Sequence, residues 1–270
     1  MRATNMKSMM WKTQLVLAVT VAVALLVTPS AKAAAPGITG TTFNLTAQSA
    51  FISQPDGQAV YSWGYGCSSA PSGYAPAAIS GGFCNTMQIP GPTLIVTEGK
   101  TVTINLTNNL PTAAGNTSIL FPGFTVTASG GVAGLLAQEA APGGSVTYTF
   151  TASTPGTRAY YSGTQGDLQV EMGLYGAIIV LPASVPATCT AGLPLTNAGN
   201  NRTAQMNAGE KDFRLAAAAY DHPATCYDRE YLFQFSEIDP RIHRQAEEQL
   251  ATIANCTPSE TNVCPTSLNV

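Results

Sequence analysis

Residues 156–182 read GTRAYYSGTQGDLQVEMGLYGAIIVLP, and they hold a strand, a loop and a second strand. Arg158 to Ser162 predicts β structure, because the stiff, broad side chains of Tyr160 and Tyr161 suit a pleated surface. Gly163 to Gly166 reads as loop. Leu174 to Leu181 is an unbroken apolar run stopped by Pro182, the pattern of a strand buried on both faces. Chemistry carried by such a unit belongs in its loop, held by the rigid strands on either side.

Upstream, the same period-two pattern repeats. Thr41 to Phe51 predicts a first strand and Ala59 to Tyr65 a second, with Tyr61, Trp63 and Tyr65 alternating on one face. Thr93 to Thr97 and Thr101 to Thr107 follow across the turn Glu98-Gly99-Lys100, with Val102, Ile104 and Leu106 on one face. Ser118 to Phe121 and Phe124 to Thr127 flank Pro122-Gly123, and Val146, Tyr148 and Phe150 alternate after Pro142-Gly143-Gly144. About eight short strands at spacings of roughly 8–12 residues predict an all-β Greek-key sandwich or barrel. No helix is predicted before residue 238. Downstream, Ala183 to Thr225 reads as a connector, Arg229 to Phe235 as a fresh strand, and Asp239-Pro240 as the capped start of a helix reaching about Ile253.

The N-terminus has the three parts of a secretory signal peptide. Arg2, Lys7 and Lys12 precede the 13-residue apolar run Leu15–Val27, and Ala31-Lys32-Ala33 supplies the small-x-small cleavage pattern. The predicted signal is therefore 1–33, which leaves 237 residues and takes the net charge from −3 to −7. The expected location is secreted or periplasmic. An acidic chain without a basic stripe excludes nucleic acid as an expected partner. No later stretch is long and apolar enough to be expected to span a membrane. Six cysteines in an exported chain argue for disulfides, and neighbour pairing predicts Cys67–Cys84, Cys189–Cys226 and Cys256–Cys264.

Chemistry-bearing groups are sparse. Asp167 and Glu171 read as solvated carboxylates, and Met172 as packing. His243 and Glu247 lie four apart on the predicted helix, and His222 sits in the turn Asp-His-Pro; neither makes a metal site by itself. There is no Gly-x-Ser-x-Gly elbow, phosphate loop or dinucleotide fingerprint.

Pro90-Gly91-Pro92-Thr93, Glu98-Gly99, Val102 to Leu106 and Asn108-Asn109-Leu110-Pro111 together resemble the opening of the first cupredoxin domain of multicopper oxidases. Pro142-Gly143-Gly144-Ser145 with Tyr148 and Phe150 continues the likeness, and Pro155-Gly156-Thr157, Gln169 to Glu171 and Gly173 to Val180 resemble that domain's final strands. Arg229-Glu230-Tyr231 with Ser236-Glu237-Ile238-Asp239 resembles the start of the second domain. The resemblance implies a cupredoxin-like Greek-key β-sandwich over 34–186 (plastocyanin-like), a connector over 187–224, and an incomplete second cupredoxin domain over 225–270. It implies copper as the family's cofactor and oxidoreductase chemistry.

The family's ligands do not carry over. Its first His-x-His pair belongs at Leu120 and Pro122, and its second at Tyr161 and Gly163. No catalytic residue is therefore assigned, and the chain alone is expected to bind no copper. Three functions remain open at this point. One is the N-terminal portion of a secreted multicopper-oxidase-like protein, needing a C-terminal cupredoxin portion or partner subunit for catalysis. The second is a non-catalytic exported module with a binding or structural role. The third is a metal chaperone using His222 and His243.

Overall fold

Alternation sorts the strands into two faces, and the computed structural model shows where each face goes. It describes residues 35–75, 84–184, 217–220, 225–227, 230–259 and 262–270. The expected signal peptide, Cys189 of the expected pair with Cys226, His222 and nearly all of the connector lie outside the described residues.

The strands, in chain order, are β1 (Gly37–Thr39), β2 (Thr42–Ser53), β3 (Ala59–Cys67), β4 (Gly73–Ala75), β5 (Leu94–Thr97) and β6 (Thr101–Asn109). There follow β7 (Val126–Gly130), β8 (Val132–Ala133), β9 (Gln138–Glu139), β10 (Ser145–Thr151) and β11 (Gly156–Tyr161). Helix α1 (Gly166–Glu171) comes next, then β12 (Tyr175–Leu181), and much later helix α2 (Pro240–Asn255). One sheet runs β11-β12-β5-β1-β4 and the other β3-β2-β6-β10-β7. Neighbours in space are mostly not neighbours in sequence. The β12–β5 and β2–β6 pairs are parallel, so the chain crosses between the sheets as a Greek key requires. This is the expected cupredoxin-like sandwich.

The core lies between the sheets. Val102, Ile104 and Leu106 of β6 and Val146, Tyr148 and Phe150 of β10 point inward with Leu45, Trp63 and Tyr65 to meet Leu94, Tyr160, Ile178 and Val180. Each is buried at every second position, as the period of a strand dictates. The run in β12 is buried on its other face too. There Ile179 packs with Ala35 and Ile95 in a second cluster, against which Leu232 rests. That double burial is why the run is continuous rather than alternating.

Four local expectations change. A short helix, α1, occupies 166–171, where no helix was predicted and where Gln169 to Glu171 was matched to strand. A 3-10 turn covers Thr112–Ala114. Residues 118–121 hold only a single bridge, Leu120 to Tyr161, and Thr117 just before them another to Ala140, instead of a strand ladder. Residues 230–235 carry no regular secondary structure. The last helix begins where expected: the Asp239 carboxylate accepts from Arg241 N–H, with Pro240 in the first turn. Its Ala246 and Leu250 belong to the main core.

Cys67–Cys84 and Cys256–Cys264 form disulfides, with Cα atoms 5.2 and 5.7 Å apart. The first closes a 17-residue separation between β3 and the loop that crosses it. Reduction is expected to lower stability by roughly 3 kcal/mol, chiefly by freeing the unfolded chain. Thermal unfolding with and without reductant measures it, and an unchanged midpoint would contradict the expectation.

Candidate functional site

Three of the four positions that the resemblance marks, Leu120, Tyr161 and Gly163, come together on two facing segments. Leu120 N–H donates to Tyr161 O at 2.7 Å, and Tyr161 N–H returns to Leu120 O at 3.3 Å. Residue 163 is brought in beneath. A Cβ built on Gly163 would fall 2.7 Å from Leu120 Cγ, so the leucine side chain rests directly on the glycine. A side chain at 163 would need Leu120 to move. Pro122 stands exposed at the turn, where Phe124 N–H bonds to Phe121 O at 3.2 Å.

Under these segments lies a buried polar network that the sequence reading missed. Gln169 of α1 is fully buried. Its Oε1 accepts from Thr117 Oγ1 at 2.9 Å and from Ser162 Oγ at 2.7 Å, and its Nε2 donates to Asn116 O at 2.7 Å. Thr164 Oγ1 lies 2.9 Å from Ser118 Oγ and donates to Glu139 Oε1 at 2.8 Å. The other oxygen of Glu139 accepts from Asn116 Nδ2 at 3.0 Å. Hydroxyl and amide groups thus meet the carboxylate's demand for donors. Apart from Ser162 and Gln169, seven positions apart, the bonded partners lie 23 to 53 positions apart, so no local motif announces them.

The neighbouring phenols are held neutral. Burial pushes Tyr148 up to about 12, and it pushes Tyr65 and Tyr160 well above the usual tyrosine range. Their hydroxyls donate to main-chain carbonyls: Tyr65 to Ser118 O at 2.9 Å, Tyr148 to Gln138 O at 2.6 Å and Tyr160 to Pro92 O at 2.7 Å.

Beside Tyr161 opens a cleft of about 410 Å³ lined in part by Asp167, Glu171, Tyr175, Phe235 and Glu237. Asp167 is exposed, as expected. Glu171 is not simply solvated, because its Oε1 accepts from Asp239 N–H at 2.6 Å. Met172 is buried as packing. His243 and Glu247 part company: the histidine is buried with both ring nitrogens near protein acceptors, and the glutamate is half-exposed.

Copper needs several imidazole, thiolate or thioether donors converging on one point. Leucine, proline and glycine offer no side-chain donor, and Leu120 occupies the room above Gly163. Tyr161 is one oxygen without a second ligand at these positions. The residues at these four positions do not fit copper. Among the described residues no group of three or more His, Cys, Asp or Glu side chains is arranged to hold a metal ion.

Residues 81–184 match a family model described as multicopper oxidase. The chain is 35% identical over 127 residues to Multicopper oxidase MCE of Talaromyces pinophilus, a match covering 46% of this chain and 20% of that protein. It is 38% identical over 96 residues to the L-ascorbate oxidase of Brassica rapa subsp. pekinensis, covering 34% of this chain and 16% of that one. A solved multi-copper oxidase from Pseudomonas thermotolerans superposes with a TM-score of 0.41 at 20% identity, over 55% of this chain and 31% of the other. The match thus spans a fifth or less of the curated relatives' length. The likeness is to copper-dependent oxidoreductases, through a cupredoxin-like domain.

Proposed function

We propose that this chain is the N-terminal portion of a secreted multicopper-oxidase-like protein, with a first cupredoxin domain that supplies scaffold and no copper ligand. Residues 225–270 then open a second domain, and catalysis waits on a further cupredoxin portion or a partner subunit. The observation that carries this reading is the pairing of Leu120 with Tyr161. The segments expected to bear ligands are brought side by side, and their side chains are not ligands. No chemical step is assigned to the chain alone.

A second reading, a non-catalytic exported module with a binding or structural role, is favoured by the seat of Leu120 on Gly163, which fills the place of a ligand with apolar contact. The chaperone reading loses ground, because the ring of His243 is 1% exposed and already engaged.

The expected result is that the purified protein, loaded with copper and desalted, retains less than one equivalent. It shows no copper–thiolate absorption and does not oxidise phenolic substrates. Stoichiometric copper with such a band would overturn the first reading. Retention of the N-terminal 33 residues after expression in an exporting host would overturn the assignment to the secreted class.

A further inference from the structure

Residues 230–235 read EYLFQF, and their burial alternates as a strand's does. Leu232 rests on the cluster of Ala35, Ile95 and Ile179. The odd-numbered residues face away: Tyr231, Phe233 and Phe235 are 66%, 75% and 92% exposed. Three aromatic side chains in water on one short segment form the kind of surface that proteins cover. Phe233 and Phe235 already lie against each other, with ring centroids 6.5 Å apart and planes 15° apart.

The main chain is as open as the rings. Among the described residues, no N–H or C=O of 231–238 bonds to another main-chain group. The segment is a strand without a ladder. The chain then leaves it, because Asp239 caps α2, whose Ala246 and Leu250 join the main core. An open strand of this kind is a template for pairing with another chain.

The pattern of the segment suits a copy of itself. Turned antiparallel about Phe233, it sets Phe233 against Phe233 and, on either side, Tyr231 against Phe235. Aromatic residues directly opposite one another are favourable cross-strand pairs. In the same register the sequence sets Arg229 against Glu237 at both ends, and opposite charges across a pair are favourable too. A slip by one residue turns the partner's rings to the other face. A slip by two sets a ring against a charge at each end. Only the register centred on Phe233 matches ring to ring and charge to charge.

We propose that two copies of this chain associate about a twofold axis at Phe233, pairing residues 231–235 as antiparallel strands. The interface is isologous, so each copy supplies and receives the same contacts. Phe235 and Glu237 also line the cleft beside Tyr161, and the pairing therefore brings the second copy to the edge of the candidate site. The pairing does not rest on the copper reading, and the copper-loading test can fail while it stands.

Sedimentation velocity of the purified protein over a concentration series tests this. A reversible monomer–dimer equilibrium is expected. Phe233→Thr suits a strand and removes the ring pair at the axis, and it is expected to weaken dimerisation by about tenfold or more. The ring is exposed, so the fold should survive, as an unchanged circular dichroism spectrum would show. Arg229→Glu and Glu237→Arg should each weaken the dimer, and the two together should restore it. Amide protection of 231–235 should rise with protein concentration in the wild type and stay low in Phe233→Thr. A monomer at every concentration would overturn the proposal and leave the segment to a strand from a further portion or another partner. A dimer indifferent to Phe233→Thr, or one that the double exchange fails to restore, would overturn it as well.

Discussion

Replacing Gln169 by leucine is expected to lower the stability of the sandwich by about 3 kcal/mol or more. The side chain is fully buried and makes three hydrogen bonds, accepting from Thr117 and Ser162 and donating to Asn116 O. Leucine removes both the acceptor and the donor, and it leaves those partners buried. Each buried group without a partner costs about 1–3 kcal/mol, and the three share one network. The loss should also be felt at the surface. Ser162 lies between Tyr161 and Gly163, and Ser118 and Thr164 are tied into the same set. Urea unfolding followed by circular dichroism measures the change. A loss below about 1 kcal/mol would mean that water or the hydroxyls themselves repair the network. Gln169→Glu adds a second test, since it keeps the shape and the acceptors while removing the donor to Asn116 O.

Tyr160→Ala is expected to cost roughly 3–5 kcal/mol, the range for emptying a buried aromatic site. The ring stands between the two sheets, with centroids 5.7 Å from Tyr65 and 6.0 Å from Phe121. A Cβ added to Gly176 would lie 2.4 Å from the Tyr160 ring, so the strand opposite has given up its own side chain to seat it. Alanine leaves a cavity lined by large, interlocked groups with little freedom to collapse. Tyr160→Phe keeps the ring and loses only the bond to Pro92 O, for about 1 kcal/mol. The ratio of the two losses separates packing from hydrogen bonding. Equal losses would show that the hydroxyl, rather than the ring, holds this part of the core.

The fold was legible because strands report their burial through alternation. In β6 and β10 each inward residue except Asn108 is apolar and each outward one polar, and the pattern survives in the sequence without any partner in view. Helix α1 was not legible for local reasons. It is six residues long, begins at Gly166 and lacks a side-chain cap, and Gln165 before it takes a left-handed backbone with φ 43°. Six residues give a helix little intrinsic stability. Tertiary bonds from Gln169 hold it instead. The extended stretch around Phe233 looked like a strand because Tyr231, Phe233 and Phe235 alternate, yet a strand needs a partner, and among the described residues it has none.

The candidate site divides along the same line. Composition and pattern alone determined an all-β chain, its main strands and its last helix, and the family resemblance marked Leu120, Pro122, Tyr161 and Gly163 as positions without a histidine. Those properties belong to single residues and their near neighbours. The tertiary structure decided that Leu120 lies against Tyr161 and over Gly163, that Gln169 and Glu139 serve a buried network, and that His243 bonds on both edges of its ring. The physical reason is that hydrogen-bond satisfaction in a buried site is settled between segments far apart in the chain, where sequence spacing carries no distance.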